Sequence, residues 1–239
     1  MYSDAFCKVY NQFGWNYFPE AFGEQLLEWL KQNHINIESS LDLGCGTGVL
    51  CEILHANGIQ SSGMDFSEGM ITIAKERNSA IHYEVGDMIV YCPKKKFDLV
   101  TCTGDALNHI INLQDIEKVF KNVYQYLSDH GYFIFDILNE KEVPMSEPII
   151  LEFSESVTAE FMVTHDEEGK VNLQTTVYEN GNQKFVENIT ETVHDEKEIC
   201  KLLEKSGFQI LQCAHHLLNT EGNCSSTWYI IAKKQTTFQ

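Results

Sequence analysis

The run Leu41-Asp42-Leu43-Gly44-Cys45-Gly46-Thr47-Gly48 decides the fold of this chain. It opens on alternating apolar residues and sets three glycines within five positions. It then continues into Val49, Leu50, Ile53 and Leu54 at helical spacing. That order predicts a strand, a tight glycine turn and a helix. Glycine accepts a left-handed backbone and lets a ligand lie directly against the main chain. The helix that follows presents its free N–H groups and positive dipole end to the same crevice. In open α/β sheets such crevices at the carboxyl ends of strands hold ligands. The stretch reads as a nucleoside-cofactor loop.

Spacing narrows the cofactor. A dinucleotide fingerprint, G-x-G-x-x-G, requires a third glycine where this chain has Val49. Here the pattern is D-x-G-x-G-x-G, with Asp42 ahead of the first glycine. The run closely resembles the first motif of the class I, Rossmann-like S-adenosylmethionine-dependent methyltransferases of small-molecule type. The resemblance covers roughly residues 20 to 138 and 195 to 232, with its motifs concentrated between 41 and 109. It implies S-adenosyl-L-methionine as cofactor, held by Asp42, Gly44, Cys45, Gly46 and Gly48.

Further cofactor residues follow in order. Ile59 to Asp65 reads as a short strand ending on a carboxylate 21 positions after Gly44, where an acidic side chain grips ribose hydroxyls. Ser67 is placed as the N-cap of the next helix, and Phe66 and Met70 are then positioned to contact the adenine. A third strand, Ile81 to Val85, runs into Gly86-Asp87-Met88. In the resembling family an acidic residue at this turn accepts a hydrogen bond from the adenine amino group and its neighbour packs on the ring, which assigns Asp87 and Met88. The fourth strand, Phe97 to Cys102, is mostly apolar, as expected of a parallel strand covered on both faces. It delivers Thr103 to the cofactor side, and Gly104 to His109 to the acceptor side.

A helix from about Asp115 to Leu127 and a fifth strand, Tyr132 to Leu138, complete the first half. Residues 139 to 194 then break the α/β alternation. Val157, Ala159, Phe161, Val163 and then Val171, Leu173, Thr175, Val177 alternate, with hairpin turns at Glu167-Glu168-Gly169-Lys170 and Glu179-Asn180-Gly181-Asn182. The segment holds 12 acidic and 3 basic residues, a net −9. A helix capped by Asp195, a strand Phe208 to Ala214 and a last strand Ser226 to Ala232 resume the core, with a frayed tail from Lys233. The expected fold is α/β: a seven-stranded doubly wound, mostly parallel sheet with an inserted antiparallel β meander. Residues 1–138 and 195–239 form the core, and 139–194 a substrate or lid subdomain. The aromatic leader, residues 1 to 18, reads either as a lid over the cofactor or as a helix packed on the sheet. Glu20 to Asn33 reads as an amphipathic helix.

Charge bounds the partners. A net −18 argues against nucleic acid, whose phosphates call for basic surfaces. Arg77 is the single arginine, and arginine is the usual bidentate partner of carboxylates and phosphates. The expected acceptor is therefore a small molecule, neutral or cationic. No apolar run approaches a membrane span and no basic leader is present, so a cytoplasmic location is expected. The expected state is a monomer or homodimer. Eight cysteines without a C-x-x-C pair read as free thiols. Adjacent His215 and His216 would face opposite sides of a strand, so no metal site is expected.

Acceptor chemistry is expected after the fourth strand. Gly104 to His109 is similar to the corresponding segment of small-molecule N-methyltransferases, whose second position faces the acceptor amine. Asp105 would hold a cationic amine or take its proton, with His109 assisting near neutral pH. The alternative has Asp105 and Asn108 capping the next helix, and His165 is a second candidate base. Relatives with a comparable meander carry E-x-H-x-Q-R-x-Y on its last strand. Here only Glu187 of that pattern is kept, so substrate identity does not transfer. Cofactor binding without catalysis and a nicotinamide oxidoreductase are the rival readings.

Overall fold

The glycine turn leaves an interior strand of a seven-stranded sheet. The computed structural model describes residues 2–138, 147–166, 170–215, 217 and 227–235. The hairpin positions Glu167, Glu168 and Gly169, together with His216, Ser226 and the segment 139–146, lie outside the described residues. The strands are β1 (Ser39–Leu43), β2 (Gln60–Asp65), β3 (His82–Val85), β4 (Phe97–Cys102) and β5 (Leu127–Leu138), then β6 (Ile149–Glu152), β7 (Val157–His165), β8 (Val171–Glu179), β9 (Asn182–Glu191), β10 (Phe208–Ala214) and β11 (Thr227–Lys234). The helices are α1 (Asp4–Val9), α2 (Tyr17–Gln32), α3 (Val49–Ala56), α4 (Glu68–Arg77), α5 (Leu113–Tyr126) and α6 (Glu196–Lys205).

The large sheet has the order β10-β11-β5-β4-β1-β2-β3. Pairs among β1 to β5 are parallel, while β11 runs antiparallel to both β5 and β10. The order reverses at β1 and β4, and the crevice at that switch point is where such sheets bind ligands. Successive side chains in the middle strands point to opposite faces. Val100, Phe133 and Phe135 meet α5 and α6 on one side through Ile116, Val119, Phe120, Val123, Ile199 and Leu203. Leu99 and Ile134 meet α2 and α3 on the other through Leu26, Trp29, Leu50 and Leu54. The α5 residues named recur at i, i+3, i+4 and i+7, which turns one apolar stripe onto the sheet.

The meander forms a separate four-stranded antiparallel sheet, β6-β7-β8-β9. Asn180 (φ 51°) and Gly181 (φ 74°) supply the two left-handed positions of a tight hairpin between β8 and β9. One face of the small sheet buries Ala159 and Val177 against Phe13 of the N-terminal segment. Ring centroids of Phe13 and Phe153 lie 4.4 Å apart. The aromatic leader therefore packs on the inserted sheet.

Three boundaries differ from the sequence reading. β5 begins at Leu127 rather than Tyr132, with an irregular register at its start and a left-handed His130 (φ 67°) ahead of Gly131. A side chain at Gly131 would collide with Leu127 and the Ser128 carbonyl, so the glycine permits this irregularity. β11 continues to Lys234, which is not frayed: its ammonium is buried and donates to the Leu127 carbonyl at 2.9 Å. α2 starts three residues early, at Tyr17, with Pro19 in its first turn where no N–H partner is lost. Among the described residues no helix is long and apolar enough to cross a membrane.

Candidate active site

The glycine turn is left-handed at Gly44, Gly46 and Gly48, with φ of 71°, 52° and 80°. Two of these glycines serve different ends. A Cβ at Gly48 would lie 2.5 Å from the Tyr83 hydroxyl, so that glycine lets α3 close onto the sheet. A Cβ at Gly46 would meet nothing within 4 Å. Gly46 therefore borders open space, the cradle into which a ligand fits against bare backbone.

Asp65 ends β2 beside this space. Its Oδ2 accepts the Gly46 N–H at 2.9 Å and its Oδ1 accepts the Ser67 N–H at 2.8 Å. Burial raises its proton affinity while those backbone donors lower it. Each carboxylate oxygen retains a lone pair, so the group still accepts hydroxyl donors. Ser67 caps α4 through the Met70 N–H, as its sequence position indicates. Phe66 is 56% exposed and available for stacking, whereas Met70 has no exposed surface. Met88 reaches Gly44, its methyl 3.6 Å from where a Gly44 Cβ would stand. Asp87 is half-buried and accepts the Ile89 N–H at 2.9 Å.

Asp42 and Cys45 turn inward. Asp42 accepts the Thr101 hydroxyl at 2.6 Å, tying β1 to β4, and burial pushes its pKa up to about 7. The Cys45 thiol packs among Cys51, Ile71, Ala74 and Tyr83, and its N–H donates to the Met64 carbonyl. Thr103 is half-buried at the β4 exit, and Gly104 beyond it is exposed. Gly46, Phe66 and Met88 thus border the crevice beside Asp65; Asp87 and Thr103 are half-buried at strand exits, and Asp42, Cys45 and Met70 turn inward.

The acceptor side gathers residues from distant segments. Asp105 is left-handed (φ 59°), and among the described residues its carboxylate has no hydrogen-bond or ion-pair partner. Burial raises its pKa to about 6. Asn108, fully buried, caps no helix. Its side chain donates to the Thr192 carbonyl at 2.9 Å and accepts the Leu138 N–H at 3.1 Å, so it staples both ends of the insert to the core. His109 Nε2 lies 3.4 Å from the Tyr2 hydroxyl and 3.9 Å from the Glu191 carboxylate. Burial lowers the His109 pKa, and burial with the Asp105 charge raises that of Glu191 to about 8. Near pH 7 the pair is not an ion pair. A cleft of about 230 Å³ between Tyr2, His109 and β9 residues Asn188 to Thr190 opens beside it.

The N-terminal segment closes the top. Thr47 of the glycine turn donates to Asn11 at 2.9 Å, and Ser3 donates twice to Glu187. After burial, the charges of Asp65, Asp105 and Glu191 raise the proton affinity of Tyr10, which places this ring between the cofactor and acceptor sides. His165 lies in register with Val171, itself opposite Glu191, two strands from the cluster. His215 Nδ1 donates to the Thr227 carbonyl and its ring lies tilted against Trp228, and no metal-binding group forms among the described residues.

Asp136 and Glu191 were not singled out from sequence. A lone carboxylate inside Tyr132-Phe-Ile-Phe-Asp-Ile-Leu138 was the available signal, since aspartate is seldom fully buried without a purpose.

This architecture is that of the Rossmann-like methyltransferases, and residues 41–131 match the family model described as a methyltransferase domain. A methyltransferase of Geobacillus sp. (strain WCH70) is 33% identical over 101 residues, 41% of each chain. The chain spans about half the length of the curated relatives it matches. Among solved structures, an S-adenosylmethionine-dependent methyltransferase from Clostridium acetobutylicum superposes with a TM-score of 0.78 at 24% identity, covering 90% of this chain and 91% of that one. An amino pentose methyltransferase from Micromonospora echinaspora, solved with S-adenosylmethionine, gives 0.76 at 16% identity over 98% of both chains. These likenesses establish the fold.

Proposed function

We propose that this chain is an S-adenosylmethionine-dependent methyltransferase that methylates the nitrogen of a small amine. The observation that carries the acceptor class is the carboxylate pair, Asp105 from the β4 exit and Glu191 from the insert. It lies beside the cofactor crevice with no lysine or arginine paired to it among the described residues. A site of that composition attracts a cation and disfavours a phosphate or carboxylate. The amino pentose methyltransferase noted above acts on an amine-bearing substrate by its description, which supports the same reading.

S-adenosylmethionine supplies an electrophilic methyl group when bound. Gly46 gives it backbone to lie on, Asp65 holds hydroxyl groups, Phe66 and Met88 offer apolar surface and Asp87 an acceptor. Asp105 orients an ammonium and takes its proton, which leaves the nitrogen lone pair free to attack. Near neutral pH His109 is uncharged and available as a second acceptor of that proton. The packed rings of Tyr2, Tyr10 and Trp15 belong to the leader, which Thr47–Asn11 and Ser3–Glu187 bonds hold at the crevice, and would shield it from water. Positioning of this kind is worth on the order of 7 kcal/mol in favourable cases.

The acceptor is neutral or cationic, and nucleic acid is not a partner. Residues 1–138 with 195–239 serve as the cofactor core, and 139–194 as the substrate and lid subdomain of a cytoplasmic monomer or homodimer. Turnover of methyl-labelled cofactor against a panel of amines, hydroxyl compounds and carboxylates tests the reading. Label on the nitrogen of cationic amines is expected. Label on oxygen, or preference for anions, would contradict it.

A further inference from the structure

Asp136 lies near the carboxyl end of β5 with no exposed surface. Its Oδ2 accepts the Gly104 N–H and its Oδ1 the Asp105 N–H, each at 3.0 Å. Those two residues are consecutive left-handed positions, at φ 72° and 59°. Asp105 adopts that conformation against the preference of an L side chain. Two donors converge on two oxygens of one carboxylate, a demand an amide cannot meet because it offers only one oxygen. The pair of bonds fixes where the Asp105 side chain begins.

We propose that Asp136 is a positioning residue for the acceptor site: it holds the 104–105 loop by paired N–H bonds and, as second carboxylate of a dyad, prepares Asp105 to take the acceptor's proton. The inference rests on the amine-methylating reading. Two neighbouring buried carboxylates keep one proton between them at a pH where either alone would be ionised. Burial first, and then the Asp105 charge, raises the Asp136 pKa; the two backbone donors oppose that rise. Glu191 from β9 faces both members, Tyr2 and Tyr10 of the N-terminal segment face Asp105 and also Asp65 of β2, and Cys102 of β4 lies near Asp136. His109 reaches the group through Glu191. In the reaction an ammonium acceptor gives one proton to the dyad and exposes its lone pair. The methylated nitrogen regains a positive charge, and the dyad returns its proton to water, one per methyl transferred.

The test uses the full chain with Asp136→Asn, Asp105→Asn and the double variant. The readouts are kcat/KM against pH for a primary amine that turns over, and S-adenosylhomocysteine affinity by calorimetry. Asp136→Asn is expected to cut turnover on the order of 100-fold through loop misplacement. Asp136 keeps its proton while Asp105 ionises, so the substitution removes no charge and the acid limb of the profile stays in place. In the Asp105→Asn background the second substitution leaves the pH profile where it is, and cofactor-product affinity holds throughout. Turnover close to that of the unmutated protein, or effects that multiply in the double variant, overturns the proposal alone. An unmutated protein that methylates no amine overturns the functional reading beneath it. Should Asp136→Asn fail to fold, amide hydrogen exchange of Gly104 and Asp105 in the unmutated protein decides. Strong protection at neutral pH supports the paired bonds, and unprotected amides overturn them.

Discussion

The two sides of the crevice are built in opposite ways. The cofactor side is local and made largely of backbone: one glycine turn, the residue after it and the end of the neighbouring strand, all within 25 residues of sequence from Leu41 to Asp65. The proposed acceptor side draws on four distant segments, namely Tyr2 and Tyr10, the 104–109 loop, Asp136 of β5 and Glu191 of β9. Its working groups are side chains whose proton affinities are shifted by burial and by one another. A backbone cradle accepts one cofactor and tolerates little change. A side-chain cluster of mixed origin can change its acceptor without disturbing the turn.

The sharpest break between the sides is Gly46→Val. A β-branched residue must adopt φ near 52° there and fills the cradle. The strain alone costs about 1–2 kcal/mol. Titration calorimetry should show S-adenosylhomocysteine binding abolished in a protein that still folds. Unchanged affinity would place the cofactor elsewhere. Next in size is Glu191→Gln on the other side. It should depress turnover on the order of tenfold to 100-fold, within the range of general-base effects, and leave cofactor affinity untouched. A parallel loss of cofactor binding would erase the division between the sides.

Asp65→Ala returns to the cofactor side with a smaller effect. It removes a hydroxyl acceptor and frees the Gly46 and Ser67 N–H groups, so affinity should fall by about 1–3 kcal/mol. Smaller still is a dependence of stability on pH that belongs to the buried acids. Asp42, Asp105 and Glu191 have folded-state pKa values raised to about 7, 6 and 8. Such groups contribute stability fully below their unfolded values and lose it as pH rises through the folded ones. His109 and His194, lowered by burial, act oppositely around their ordinary value. The melting temperature should fall between about pH 5 and 8, and Glu191→Gln should flatten the upper part of that decline. A rising curve over that range would contradict the assigned protonation states.

The same contrast explains what could be read from sequence. β2, β3 and β4 emerge within a residue of their observed bounds, β4 as the mostly apolar run of a parallel strand covered on both faces. The glycine turn, Ser67 and Asp65 are legible because each depends on near neighbours. The start of β5 is not, since Leu127 to Gly131 neither alternates nor forms an apolar run. Lys234 reads as tail, although its stem and ammonium are buried against the Leu127 carbonyl. The leader's aromatics show no period because they serve several partners: Tyr2 meets His109, Phe13 meets Phe153, and Trp15 meets Phe161. Asn108 looks like a helix cap and instead bonds to residues 30 and 84 positions away. Long-range partners leave no local pattern, which is why the acceptor side had to wait for the structure.

The measurement that bears most directly on the central claim is methyl transfer itself. Methyl-labelled S-adenosylmethionine is offered with matched acceptors that differ only in carrying an amine, a hydroxyl or a carboxylate, to the unmutated chain and to Asp105→Asn. The account predicts label on nitrogen, rates that fall with ionic strength as cation steering is screened, and a marked loss in Asp105→Asn at unchanged cofactor affinity. Label on oxygen or preference for the carboxylate, with rates indifferent to Asp105, would contradict it.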